Sequence, residues 1–164
     1  MNRFATLLLA SSLLIACGDT TDDGKGAEEN ELTDGKSDSF FRPTEHGALR
    51  MGVENPGQVT DDAQFHAWTF ELSDSADVEL HTDVSQNLDT VLYVYRRDSS
   101  DESWGRYIKK NDDDGSKISS RIKLPGAKAG EYRVIVKPFK TALRGGFSLN
   151  GACDGAGCTT GTDS

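Results

Sequence analysis

From Phe40 onward the apolar residues of this chain recur at every second position, and no stretch keeps the spacing of an amphipathic helix. Alternation of this kind puts neighbouring side chains on opposite faces of an extended backbone, so it commits the region to sheet. In "GALRMGVE" Leu49, Met51 and Val53 share a face, and the "PG" and "DD" that follow read as breakers. "QFHAWTFEL" sends Trp68, Phe70 and Leu72 one way, and "ADVELHT" does the same with Val78 and Leu80. "NLDTVLYVYRR" is apolar on both faces, which predicts a strand in the middle of a sheet. "WGRYIKK" groups Trp104 with Ile108, and "SKISSRIKL" groups Ile118, Ile122 and Leu124. "GEYRVIVKP" and "GGFSLNG" supply Tyr132, Val134, Val136, Phe147 and Leu149. About eight short strands separated by turn signals predict an all-β sandwich or barrel over residues 40–150. Trp68, Phe70, Leu80, Leu92, Val94, Ile122, Tyr132 and Val134 are the expected core.

The residues before Phe40 have a different character. "MNRFATLLLASSLLIAC" opens with Arg3, continues with an apolar run from Leu7 to Ile15 and ends in small residues. That is the build of a secretory signal peptide, and the run is too short to span a bilayer. Its last four residues, Leu14-Ile15-Ala16-Cys17, resemble the lipobox of bacterial lipoproteins. The resemblance implies cleavage after residue 16 and a lipid (diacylglycerol and an amide-linked palmitate-type chain) on Cys17, and several acyl chains together make a stable anchor. The other reading is an ordinary signal peptide that happens to end near a cysteine. Under the sorting rule of that family, Gly18 rather than Asp after the cysteine implies an outer-membrane lipoprotein. Residues 17–39, "CGDTTDDGKGAEENELTDGKSDS", are acidic, Gly-rich and without aromatics. They bury too little apolar surface to offset ordering entropy, which predicts a disordered tether.

Charge and cysteine count narrow the compartment and the partners. The chain carries a net charge of -9, one unit more negative once Arg3 leaves. Such acidity argues against nucleic acid, which demands a basic surface, and against unaided adhesion to anionic lipid. With Cys17 assigned to lipid, Cys153 and Cys158 remain as a pair around "DGAG", in the 151–164 tail. In an oxidising envelope this reads as a small disulfide loop worth roughly 2 kcal/mol by loop closure. A redox pair has the tighter CxxC spacing, and a zinc site needs further Cys or His ligands.

The stretch from Gln64 to Asn150 resembles the bacterial pre-peptidase C-terminal domain. The residues that carry the resemblance are Trp68-Thr69-Phe70, Ala76 to Leu80, and Leu88-Asp89-Thr90-Val91-Leu92-Tyr93-Val94-Tyr95, followed by Asn111-Asp112-Asp113, Ser120-Arg121-Ile122 and Ala129-Gly130-Glu131-Tyr132-Arg133-Val134-Ile135-Val136. The resemblance implies a jelly-roll-like antiparallel β-sandwich without catalysis. It also implies, for some relatives, binding of collagen or other polymers, and for some, binding of calcium. Such domains usually follow a secreted peptidase and are often removed in maturation. No peptidase precedes the match here, so the expectation is a stand-alone, lipid-anchored module.

The most charged turn is "NDDDG", Asn111 to Gly115. Asn and Asp favour turns because they bond their own backbone and tolerate positive φ, and Gly supplies the permissive position. The resemblance implies that Asp89 lies near this turn, so Asp89, Asn111, Asp112, Asp113 and Asp114 together also offer the oxygen ligands calcium takes. An EF-hand is excluded, since its register puts Lys110 first and Arg121 at the bidentate position. Lys109, Lys110, Lys117, Arg121 and Lys123 flank the turn as a solvated basic face.

Tyr93, Tyr95, Trp104 and Tyr107 are candidates for an exposed aromatic platform; the alternative for the two strand tyrosines is packing within the sheet. His46, His66 and His81 are scattered, and no nucleophile elbow, HExxH or phosphate loop occurs. The chain is therefore expected not to be an enzyme and to need no cofactor beyond a possible calcium ion. Two functions remain: an envelope module binding an extracellular polymer or protein, or a structural or chaperone-like accessory of a secreted hydrolase.

Overall fold

The computed structural model describes residues 39–158 apart from 86, 101, 116 and 117. The signal peptide, Cys17, the acidic tether up to residue 38, Lys117 and the last six residues lie outside the described residues. Nine strands are present among the described residues: β1 Thr44–Ala48, β2 Glu54–Val59, β3 His66–Leu72, β4 Ala76–Val84, β5 Thr90–Arg96, β6 Lys109–Asn111, β7 Arg121–Ala127, β8 Gly130–Pro138 and β9 Gly145–Asp154. They form a five-stranded sheet in the order β1-β3-β8-β5-β6 and a four-stranded sheet in the order β2-β9-β4-β7. The fold is an all-β sandwich.

The inward faces of the two sheets meet in one apolar core. Every residue expected there is in it: Trp68, Phe70, Leu80, Leu92, Val94, Ile122, Tyr132 and Val134. Fully burying one such aliphatic or aromatic side chain contributes about 1.5–3 kcal/mol. β5 is buried on both faces, as its double apolar pattern implied. Leu92 and Val94 point into the sandwich, while Val91, Tyr93 and Tyr95 join a second cluster with Phe40, Ala67 and Ile135 on the outer side of the five-stranded sheet. Phe65, Trp104 and Tyr107 cover that cluster.

Several elements differ from the sequence expectation. "GALRMGVE" is not one strand: Gly47 and Ala48 end β1, Glu54 begins β2, and residues 49–53 cross from one sheet to the other, with Gly52 at φ 78° and Val53 47% exposed. Leu49 still turns inward, its N–H donating to the Thr69 carbonyl. The "PG" breaker lies inside β2, opposite Ser148 and Phe147. Proline is tolerated there because β2 is an edge strand. Gly57 is required because a Cβ would sit 2.3 Å from the Phe147 ring. Ile108 and Ile118 are exposed rather than in the core, and β6 is only three residues long. The β1–β3 pair is parallel, not antiparallel. β9 continues to Asp154, so Cys153 belongs to the sheet rather than to a tail.

Cys153 and Cys158 are joined by a disulfide. Its loop reaches across the end of the sandwich: Cys158 bridges to Leu72, and the Ser73 N–H donates to the Gly157 carbonyl. The disulfide thus ties the end of β9 in one sheet to the β3–β4 turn leaving the other.

Candidate functional site

The acidic turn links the two sheets, since β6 belongs to one and β7 to the other. Asn111 holds that crossing. Its Nδ2 donates to the Asp113 carbonyl at 2.6 Å and to the Arg121 carbonyl at 2.7 Å. Arg121 Nε donates to Asp114 Oδ1 at 2.9 Å, and its guanidinium also pairs with Glu79. Asn111 and Asp114 are therefore committed to protein partners. Among the described residues no group of three or more His, Cys, Asp or Glu side chains is placed to hold a metal. Of the set Asp89, Asn111, Asp112, Asp113 and Asp114, the Asn111 amide nitrogen and one Asp114 oxygen are thus spent on holding the turn. Asn111→Asp should cost about 2 kcal/mol, because a carboxylate cannot donate and would face two carbonyl oxygens; urea unfolding checks this.

The Asp89 carboxyl is pushed above its ordinary range, first by burial, then by the charges of Asp113 and Asp112, with Lys140 opposing. A raised native-state value means that ionisation penalises the fold. Below the unfolded value of about 3.9 both states hold the proton and the penalty is absent. As pH rises through the window between that value and the raised native one, the native state loses stability. Asp89→Asn should raise the melting temperature at about pH 7 and leave it unchanged at about pH 3. Millimolar calcium should shift the melting temperature of neither protein.

The aromatic candidates do not form an open strip. Tyr93 and Tyr95 are 0% exposed. Phe40 lies edge-on to Tyr93 at 4.8 Å between ring centroids, and Tyr107 lies edge-on to both tyrosines at 5.6 and 6.4 Å. Trp104 is half-buried, with the Arg97 guanidinium 5.8 Å and that of Arg133 5.6 Å from its ring centroid. The physical reason is that the outer face of β5 and β8 is itself apolar, so Phe65, Trp104 and Tyr107 pack over it as a cover.

One pairing escaped the sequence. His46 Nε2 and His66 Nδ1 are 3.0 Å apart, and the His46 ring stacks on Trp68 at 4.2 Å. Burial lowers the His46 pKa, with Glu45 opposing. The two histidines are twenty positions apart and meet only because β1 runs parallel to β3, with Thr44 opposite His66.

The surface feature with the clearest chemical character is a groove of about 280 Å³ along the side of the sandwich where β6 and β7 end their sheets. Arg96, Lys109, Lys123 and Lys128 line it, together with Ile108 and Pro125, and no carboxylate does. Lys109 and Lys128 form no ion pair among the described residues, while Lys123 pairs with Glu79 at 3.2 Å. Arg96 donates to the Ala129 carbonyl at 2.7 Å. Beyond Lys123 and Pro125 a second hollow of about 310 Å³ carries Asp77, Glu79 and Asp154. In a chain of net charge -9, a concavity whose charged lining residues are all cations is a local reversal of sign. The sequence signal was present in the basic residues around "NDDD", but Arg96 and Lys128 join them only through folding.

No protein-family model and no curated protein sequence matches this chain. Among solved structures, it is similar to the pre-peptidase C-terminal domain of a collagenase from Bacillus anthracis, at 11% identity and a TM-score of 0.53, over 72% of this chain and 99% of that one. This sandwich shares the fold of a pre-peptidase C-terminal domain. A second similar structure is PliG of Aeromonas hydrophila, a periplasmic lysozyme inhibitor of g-type lysozyme, at 16% identity and a TM-score of 0.49, over 68% of this chain and 96% of that one.

Proposed function

We propose that this chain is a non-catalytic module of a bacterial cell envelope, anchored in the outer membrane by lipid on Cys17, whose sandwich binds an extracellular polymer or protein. The observation that carries the binding reading is the groove of Arg96, Lys109, Lys123 and Lys128, built from three strands and a turn of a strongly acidic chain. With Lys123 paired to Glu79, Arg96, Lys109 and Lys128 still gather like charge in one concavity, and an anionic partner relieves their repulsion while excluding wrong partners. The anchoring reading is supported by Leu14-Ile15-Ala16-Cys17 and by the acidic stretch that separates Cys17 from the first strand.

Anchoring is tested by metabolic labelling with a palmitate analogue. Cys17→Ser should abolish the label and release the protein from membranes; equal labelling of both forms would end the lipoprotein assignment. Binding is tested by passing the full chain over immobilised envelope extract. Lys109→Glu/Lys128→Glu should lose the capture that the unaltered protein shows, and equal capture would remove the groove as the binding surface.

A further inference from the structure

The groove has a second property besides charge: it runs beside an open strand edge. β7 pairs only with β4, so its other side is the end of the four-stranded sheet. The hydrogen bonds at Arg121 show which way that edge faces. Its N–H donates to the Asp113 carbonyl, and its carbonyl accepts from Asn111, both on the side away from β4. Backbone groups alternate direction along a strand, so those of Lys123, two residues on, face the same way. At Lys123 the acidic turn no longer covers the edge, and Lys123 is one of the residues that line the groove. Pro125, which has no N–H, interrupts the edge, and Gly126, at φ 58°, lies in the register shift that precedes the last pair, Ala127 with Ala76. Across the groove stand the 50% exposed Ile108 and the cations Lys109, Arg96 and Lys128.

Resting on the binding function proposed above, we infer that the partner is a short, extended, acidic peptide segment that adds to the β7 edge at Lys123, its carboxylates meeting Arg96, Lys109 and Lys128. Main-chain bonds to an edge strand supply affinity in this mode of recognition, and alternate side chains supply specificity. A peptide whose acidic residues alternate with apolar ones matches both parts of the lining, the cations and Ile108. A sulfated polysaccharide satisfies the charge but has no row of N–H and C=O groups for the edge and gains nothing from Ile108. The second hollow, with Asp77, Glu79 and Asp154, repels the same peptide and confines it to the cationic side.

The test uses the full chain and a fluorescein-labelled peptide of alternating Glu and Val, followed by anisotropy at low and moderate salt. The unaltered protein should bind it, more weakly as salt screens the charges. Lys109→Glu/Lys128→Glu should weaken binding roughly tenfold, whereas Lys140→Glu, outside the groove, should not. Methylating alternate backbone nitrogens of the peptide should weaken binding comparably, and this arm needs no change to the protein. Equal binding of the methylated peptide, or displacement by heparin with no effect of methylation, would overturn the inference in favour of plain anion attraction. So would undiminished binding by the charge-reversed protein. Groove-dependent capture of envelope extract without any binding of the peptide would leave the proposed function standing and overturn this inference alone.

Discussion

Leu92→Ala should lower the stability of the domain by about 2–5 kcal/mol, the range for deleting a buried leucine and leaving a cavity. Leu92 is 0% exposed and lies in β5, paired with Val136 of β8 on one side and Asn111 of β6 on the other. Its side chain faces the other sheet within the main core. Backbone hydrogen bonds to neighbours on both sides keep β5 from shifting to fill the space. Since whole domains are stable by about 5–15 kcal/mol, the variant should unfold at a much lower urea concentration. Ile108→Ala and Ile118→Ala, which carry the same kind of side chain but are half-exposed, should change stability by about 0.5 kcal/mol or less. A Leu92→Ala variant as stable as those two would contradict the pairing of β5 with β6 and β8.

Thr82→Val should cost about 1–3 kcal/mol although it preserves shape, because it strands a buried donor. Thr82, Thr90 and Ser120 are 1%, 0% and 0% exposed. Thr82 Oγ1 accepts the Ser120 N–H at 2.9 Å and shares a hydrogen bond with Thr90 Oγ1 at 2.7 Å. Ser120 Oγ donates to the Thr90 carbonyl at 2.6 Å and lies 3.1 Å from Thr90 Oγ1. These contacts join β4, β5 and the residue just before β7, and so join the two sheets. In Thr82→Val the Ser120 N–H loses its acceptor in a dry site. Thr90→Val should cost less, since the Ser120 and Thr82 side chains keep their backbone partners. The double variant should then depart from the sum of the single ones by about 0.5 kcal/mol or more, as expected for groups in one network. Additive losses would mean that the hydroxyls act independently.

The strands that sequence reading placed well are those whose alternation is undisturbed: β3, β4, β5 and β8. It misplaced the segments where a local signal had two meanings. Pro56-Gly57 looks like a break, yet an edge strand accepts Pro56 and the Phe147 ring demands Gly57. Leu49, Met51 and Val53 alternate like a strand, yet the crossing between sheets needs that stretch, and only Leu49 is fully inside. Tyr93 and Tyr95 alternate with core residues in a way that fits an open platform as well as a covered one. Phe40, Trp104 and Tyr107 decided for the cover.

The sequence by itself determined the all-β character, the main core and the Cys153–Cys158 pair. Each follows from side-chain period and short-range spacing, which act over a few residues. Only the tertiary structure decided that β1 runs parallel to β3 and brings His46 to His66, and that Asn111 spends its amide on two carbonyls. The same holds for the gathering of Arg96, Lys109, Lys123 and Lys128 beside one strand edge. These depend on which strands end each sheet and on the register between strands far apart in the chain. That choice is made by the summed packing of two sheet faces, and no window of the sequence contains it.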